Sequence, residues 1–100
     1  ENRRIIAEGR YVIEADSDFA EAAFMVSEKY QGYGIGTYLL NLLIDVAKEQ
    51  GLKGLHADVL LSNAPMLKVF DKQPYVLHKR FGDGVATLEL RFDEPKEQVA

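Results

Sequence analysis

Cysteine is absent from this sequence, so disulfides, thiol nucleophiles and thiolate metal sites are excluded. No apolar run approaches the roughly 18 residues that a membrane-spanning helix requires, and no secretory signal pattern opens the chain. A cytoplasmic protein with no membrane partner is the expectation. Basic residues are outnumbered, 12 against 16 acidic, leaving a net charge of −4. Binding to nucleic acid needs a basic face, and the one basic cluster, Arg3-Arg4, is too short to make one. The two histidines, His56 and His78, are far apart, and no His, Asp or Glu cluster has ligand spacing, so no metal is expected. What is present is an ordinary globular composition, 47% apolar and 28% charged over 100 residues. That is enough for one domain with a thin stability margin.

Residues 4–14 are rich in β-branched and aromatic side chains and predict a strand bent near Gly9. A turn cluster follows at 15–18. Residues 19–27 alternate, with Ala22, Phe24 and Val26 on one face and Glu21, Ala23 and Met25 on the other. Both faces are mostly apolar, which predicts a central strand covered on both sides. Residues 35–50 carry the clearest helical period, with Ile35, Leu39, Leu42 and Val46 on one stripe, flanked by Leu43 and Ala47. Gly51 then stands at a left-handed C-terminal cap position. Residues 55–61 predict a second buried strand. Asn63 is placed to cap a short helix over about 64–72, with Pro65 tolerated in its first turn and Pro74 ending it. Strands at 75–81 and 85–92 flank a Gly82-Asp83-Gly84 hairpin signal, and a charged tail runs from Asp93. The order is strand, strand, helix, strand, helix, strand, strand, without repeats or linkers: a mixed sheet with helices packed on it.

The most informative stretch is Gln31-Gly32-Tyr33-Gly34-Ile35-Gly36-Thr37, three alternating glycines directly before a helix. A dinucleotide fingerprint needs G-x-G-x-x-G, and this spacing differs. A Walker loop needs a lysine before its Ser/Thr, and none precedes Thr37. A third pattern fits. The first N–H groups of a helix have no internal partner and carry partial positive charge. Glycines let an anion approach them closely.

Gln31-x-x-Gly34-x-Gly36 resembles Q/R-x-x-G-x-G/A, the pyrophosphate loop of the GNAT acetyltransferase superfamily. The resemblance spans about residues 4–92. It is strongest to the bacterial protein-lysine acetyltransferase branch, whose "AE-x-AF-x-V" is similar to Ala20-Glu21-Ala22-Ala23-Phe24-Met25-Val26. It implies a GNAT-like α/β (α+β) fold with a largely antiparallel sheet and helices on its faces. It also implies acetyl-CoA as co-substrate. The pantetheine arm would lie along Phe24, Met25 and Val26, and the diphosphate on amides from Gln31, Gly32, Gly34, Ile35, Gly36 and Thr37. Asn63 would touch the arm or acyl region. An amine acceptor is implied, a protein lysine first and a small amine second.

The resemblance puts a catalytic glutamate at the "AE-x-AF" position, which makes Glu21 the candidate base. Amine acetylation requires loss of an ammonium proton, and a free lysine has a pKa of about 10.4. A carboxylate can take that proton directly or through water. The bland alternative for Glu21 is a strand carboxylate in a salt bridge. Many family members carry a tyrosine acid seven residues after the asparagine; this chain has Phe70, whose alternative reading is core with Met66 and Val69. His56, His78, Lys29, Tyr30, Tyr33 and Ser62 are read as structural or solvated. The resemblance also implies that an N-terminal strand and two helices are missing, a shortened domain with a 93–100 tail. A second copy or a neighbouring domain would then complete the acceptor wall. A non-catalytic acyl-CoA-binding domain is the competing reading, and a packing module that keeps only the fold is the third.

Overall fold

The computed structural model describes residues 7–27, 31–32 and 34–96. The expected strand start at 4–6, and Lys29, Tyr30 and Tyr33, lie outside the described residues. Five strands and two helices follow in the expected order: β1 (Ala7–Ile13), β2 (Phe19–Val26), α1 (Ile35–Glu49), β3 (Gly54–Leu60), α2 (Ala64–Asp71), β4 (Tyr75–Gly82) and β5 (Val85–Pro95). They form one sheet ordered β1-β2-β3-β5-β4. Every neighbouring pair is antiparallel except β2 and β3, which α1 connects as a crossover. A parallel pair needs such a long connection, and a helix supplies it.

One apolar core lies between the sheet and both helices. Ala20 and Ala22 of β2, Leu55, Ala57 and Val59 of β3, and Ala86, Leu88 and Leu90 of β5 present one face. Leu40, Leu43, Ile44 and Ala47 of α1 and Met66 and Phe70 of α2 cover it. The expected α1 stripe is therefore corrected by a small rotation: its flanking Leu43 and Ala47 are buried as expected, Leu40 and Ile44 join them, and Leu42 is 46% exposed. A sixteen-residue window so rich in leucine supports two overlapping stripes, and contact with the sheet selects between them. The expectation that β2 is covered on both sides is also corrected. Its second face, Glu21, Ala23 and Met25, is exposed, because among the described residues both helices pack on the other one.

Local signals behave as the residues dictate. Gly51 takes a φ of 76° after α1. The β4–β5 turn closes through Asp83 and Gly84, both at positive φ, the two-residue geometry that matches strand twist. β5 extends beyond the expected limit at 92 to Pro95, whose register partner is Tyr75. Gly54 opens β3 because a side chain there would strike the Leu90 carbonyl and the Phe19 ring.

Candidate active site

The site forms where β2 and β3 part. Their parallel pairing covers only Phe19, Ala20 and Glu21 against Gly54, Leu55 and His56, although β2 runs on to Val26. Beyond Glu21 the strands diverge into a V. The β2 arm keeps β1 on one edge, so among the described residues its inner edge carries backbone N–H and C=O groups without a ladder partner, groups that seek hydrogen bonds when buried.

A cavity of about 420 Å³ fills the V. Phe24, Met25 and Val26 line it from β2, Gln31, Gly32 and Gly34 from the loop, and Ile35, Gly36 and Thr37 from the first turn of α1. Asn63, Pro65 and Met66 close it from α2. The ten residues expected to border a cofactor thus meet in one place.

The two helix N-termini in this wall differ in a telling way. At α2 the Asn63 Oδ1 accepts from the Met66 N–H at 3.3 Å. At α1 the cap residue is Gly34, no side chain among the described residues caps the helix, and no acidic residue occupies its first turn. The leading amides of α1 therefore keep their hydrogen-bonding capacity and their partial positive charge.

The three glycines have two duties. Gly32 and Gly34 sit at φ 89° and 78°, with nothing within 4 Å of an added Cβ, so left-handed backbone is what selects glycine there. Gly36 has no such φ. An added Cβ would come 3.2 Å from Met66 Cε and 3.8 Å from Val69 Cγ2, so its missing side chain lets α1 lie close on α2. Gly36 thus has a packing neighbour in addition to its expected place beside the anion. Gln31 folds back on the β2 arm, its Nε2 donating to the Val26 carbonyl at 3.3 Å.

Glu21 is not among these ten. It stands at the last paired position, at the apex of the V, on the face turned away from the helices. There it borders a second hollow of about 410 Å³ together with Glu14, His56, Arg80 and Glu89. Phe70 is fully buried and meets Phe24 edge-on at 5.8 Å, so its position belongs to the core. His78 is exposed, with Glu94 at 3.8 Å.

Sequence reasoning missed the cluster around His56. Its Nδ1 lies 2.7 Å from Glu14 and its Nε2 2.9 Å from Glu89, and its ring stacks on Phe19 at 4.5 Å, only 3° from parallel. Burial opposes the imidazole charge, but the hydrogen bonds with Glu14 and Glu89 outweigh it and raise the His56 pKa. The His56 hydrogen bond in turn holds the Glu89 carboxyl below its ordinary range, against an opposing contribution from burial. Sequence separations of 42 and 33 residues hide this cluster from any local pattern. Among the described residues no group of His, Asp or Glu could hold a metal.

The model of the acetyltransferase (GNAT) family matches residues 1–74. The acetyltransferase Pat of Mycolicibacterium smegmatis is 41% identical over 69 residues, covering 68% of this chain and 21% of that protein. The crystal structure of the GNAT domain of S. lividans PAT is 37% identical with a TM-score of 0.71, covering 86% of this chain and 53% of that one. A Salmonella typhimurium structure, yncA with its cofactor acetyl-CoA, superposes with a TM-score of 0.67. At 19% identity over 95% of this chain and 61% of that one, it shows the shared fold. The chain therefore spans about a fifth of the Pat protein and about half of the S. lividans domain.

Proposed function

The chain belongs to the GNAT acetyltransferase family, and on that premise we propose that it transfers an acetyl group from acetyl-CoA to an amine, a protein lysine first. The convergence of the ten expected residues on one cavity in the β2/β3 fork carries this reading. Acetyl-CoA would supply an activated thioester open to attack by an amine. The uncapped amides at the start of α1 would hold its diphosphate, as helix N-termini hold anions generally. The inner edge of Phe24, Met25 and Val26 would bond the pantetheine arm as an added strand does, once the Gln31 side chain leaves the Val26 carbonyl. Asn63 spends its Oδ1 on the helix cap and keeps two amide donors for the arm.

Glu21, at the apex on the opposite face, would take the proton of the incoming ammonium directly or through a water. Phe70 has no proton to give, and a leaving thiol with a pKa of about 8.5 departs as thiolate without one. Holding amine and thioester on the two sides of one fork would supply much of the rate. No helix among the described residues is long and apolar enough to cross a membrane, and a cytoplasmic location is part of the proposal. A second copy or neighbouring domain on the open sheet face would complete the acceptor wall.

The full burial of Phe70, with no hydroxyl at that position, favours a second reading as a non-catalytic acyl-CoA-binding domain. Titration calorimetry with acetyl-CoA tests the binding common to both. Thiol release with a panel of amines, before and after Glu21→Gln, separates them. Turnover that collapses in the variant supports the enzyme; binding without turnover for any amine supports the second reading.

A further inference from the structure

One register row crosses the open face of the sheet. Val12 pairs with Glu21, Glu21 with His56, His56 with Glu89, and Glu89 with His78. The Glu21–His56 pair in this row is where the β2–β3 ladder ends, so the row marks the base of the fork. Glu14 follows β1, and β2 lies between β1 and β3. The His56–Glu14 bond therefore straps across β2 beside Glu21, while the His56–Glu89 bond ties β3 to β5.

The chemistry of the ring decides its charge. A neutral imidazole owns one N–H and must offer a lone pair at its other nitrogen. Facing carboxylates at 2.7 and 2.9 Å, it would satisfy one and repel the other. An imidazolium donates to both, and such charge-assisted bonds are the strong ones. The surrounding charges are mixed, and the two carboxylates in direct contact decide. Glu14 and Glu89 meet the ring from the β1–β2 turn and β5, Glu21 of β2 and His78, Lys79 and Arg80 of β4 border the same hollow, and Asp58 lies two residues along β3. Arg91 is engaged with Glu89, Asp93 and Glu94. Three carboxylates thus border the hollow that His56 shares.

We propose that His56, held as an imidazolium by Glu14 and Glu89, is a positioning residue that fixes the base of the β2/β3 fork and with it the placement of Glu21. It rests on the acetyl-transfer reading for its consequence, though not for its existence. Because both ring nitrogens are occupied by carboxylates, His56 has no lone pair for the acceptor amine and does not itself abstract the proton. Loss of its charge releases one strap and leaves the carboxylates to repel. The fork loosens as pH rises through the folded-state pKa of His56.

NMR titration of the His56 ring in the free protein tests the strap without any ligand. The expected result is a pKa above the ordinary value of about 6.5, which falls in Glu14→Gln and in Glu89→Gln. A ring that titrates at or below the ordinary value overturns the proposal. The kinetic arm measures kcat against pH. Glu14→Gln and His56→Gln should lower kcat about tenfold with a much smaller change in KM for acetyl-CoA, the pattern of lost transition-state geometry. In Glu14→Gln any alkaline fall of kcat should move down with the His56 pKa. Folded variants with unchanged kcat and pH profile would overturn the positioning role. Absence of acetyl-CoA binding alongside an elevated, Glu14-dependent His56 pKa would instead remove the acetyl-transfer reading and leave the strap standing.

Discussion

Replacing Gly34 and Gly36 separately by alanine should split two duties that the loop combines. At Gly34 the φ of 78° is the obstacle, since an added Cβ meets nothing within 4 Å. Left-handed backbone costs an L-residue roughly 1–2 kcal/mol, a large share of a stability of about 5–15 kcal/mol. At Gly36 the backbone is helical, and alanine gains about 0.8–1 kcal/mol of helix propensity over glycine. Against that stands one close approach, 3.2 Å to Met66 Cε, the free end of a flexible side chain that can yield. Gly34→Ala should therefore lower Tm by about 4–8 °C per kcal/mol lost, while Gly36→Ala leaves it level or slightly raised. Acetyl-CoA affinity, read by calorimetry on the folded variants, should fall about tenfold, or ~1.4 kcal/mol, in Gly34→Ala, whose methyl stands at the mouth of α1. Gly36→Ala destabilised as much as Gly34→Ala would refute the division, as would full affinity in Gly34→Ala.

Three further outcomes follow from the same geometry. Asn63→Ala should cost about 1 kcal/mol through loss of the α2 cap, seen in denaturant titration, and should weaken acetyl-CoA as well; an unchanged midpoint would mean the 3.3 Å bond to Met66 contributes nothing. Gly54→Ala drives a Cβ into the Leu90 carbonyl and the Phe19 ring, so the chain should lose cooperative unfolding or soluble expression, and a native-like Tm would contradict the packing described. Stability should also depend on pH through the His56–Glu89 pair. The raised His56 pKa contributes stability that is full below about 6.5 and is lost as pH rises through the folded value. The lowered Glu89 pKa contributes stability present above the ordinary carboxylate range and lost as pH falls through its folded value. The Tm difference between the protein and His56→Gln should be largest between those two limits, and a difference independent of pH would count against the ion pair.

Much of this site was legible because it is local. Gln31 to Thr37 and Asn63 sit at helix starts, where a few consecutive residues decide both backbone conformation and exposed amides, and a single fold order brings them to Phe24, Met25 and Val26. The His56 strap was not legible, since a β2–β3 register and a β3–β5 register must both be known before Glu14, His56 and Glu89 can be placed together. The α1 stripe slipped for a related reason: leucines at 39, 40, 42 and 43 satisfy two helical faces, and only contact with Leu55 and its neighbours on the sheet chooses. The open face of β2 was misjudged because Ala23 and Met25 suit burial without requiring it. At Gly36 the sequence shows the missing side chain but hides Met66, whose Cε an added Cβ would approach at 3.2 Å.

The account depends most on the fork between β2 and β3 receiving the thioester carrier. Backbone amide shifts in a ¹⁵N-labelled sample titrated with acetyl-CoA test this directly. The largest changes should fall on Phe24, Met25 and Val26 and on Gly32, Gly34, Ile35, Gly36 and Thr37, with the outer face of α1 around Tyr38 and Leu42 little affected. Saturable changes confined to other parts of the chain, or none at all in the folded protein, would contradict it.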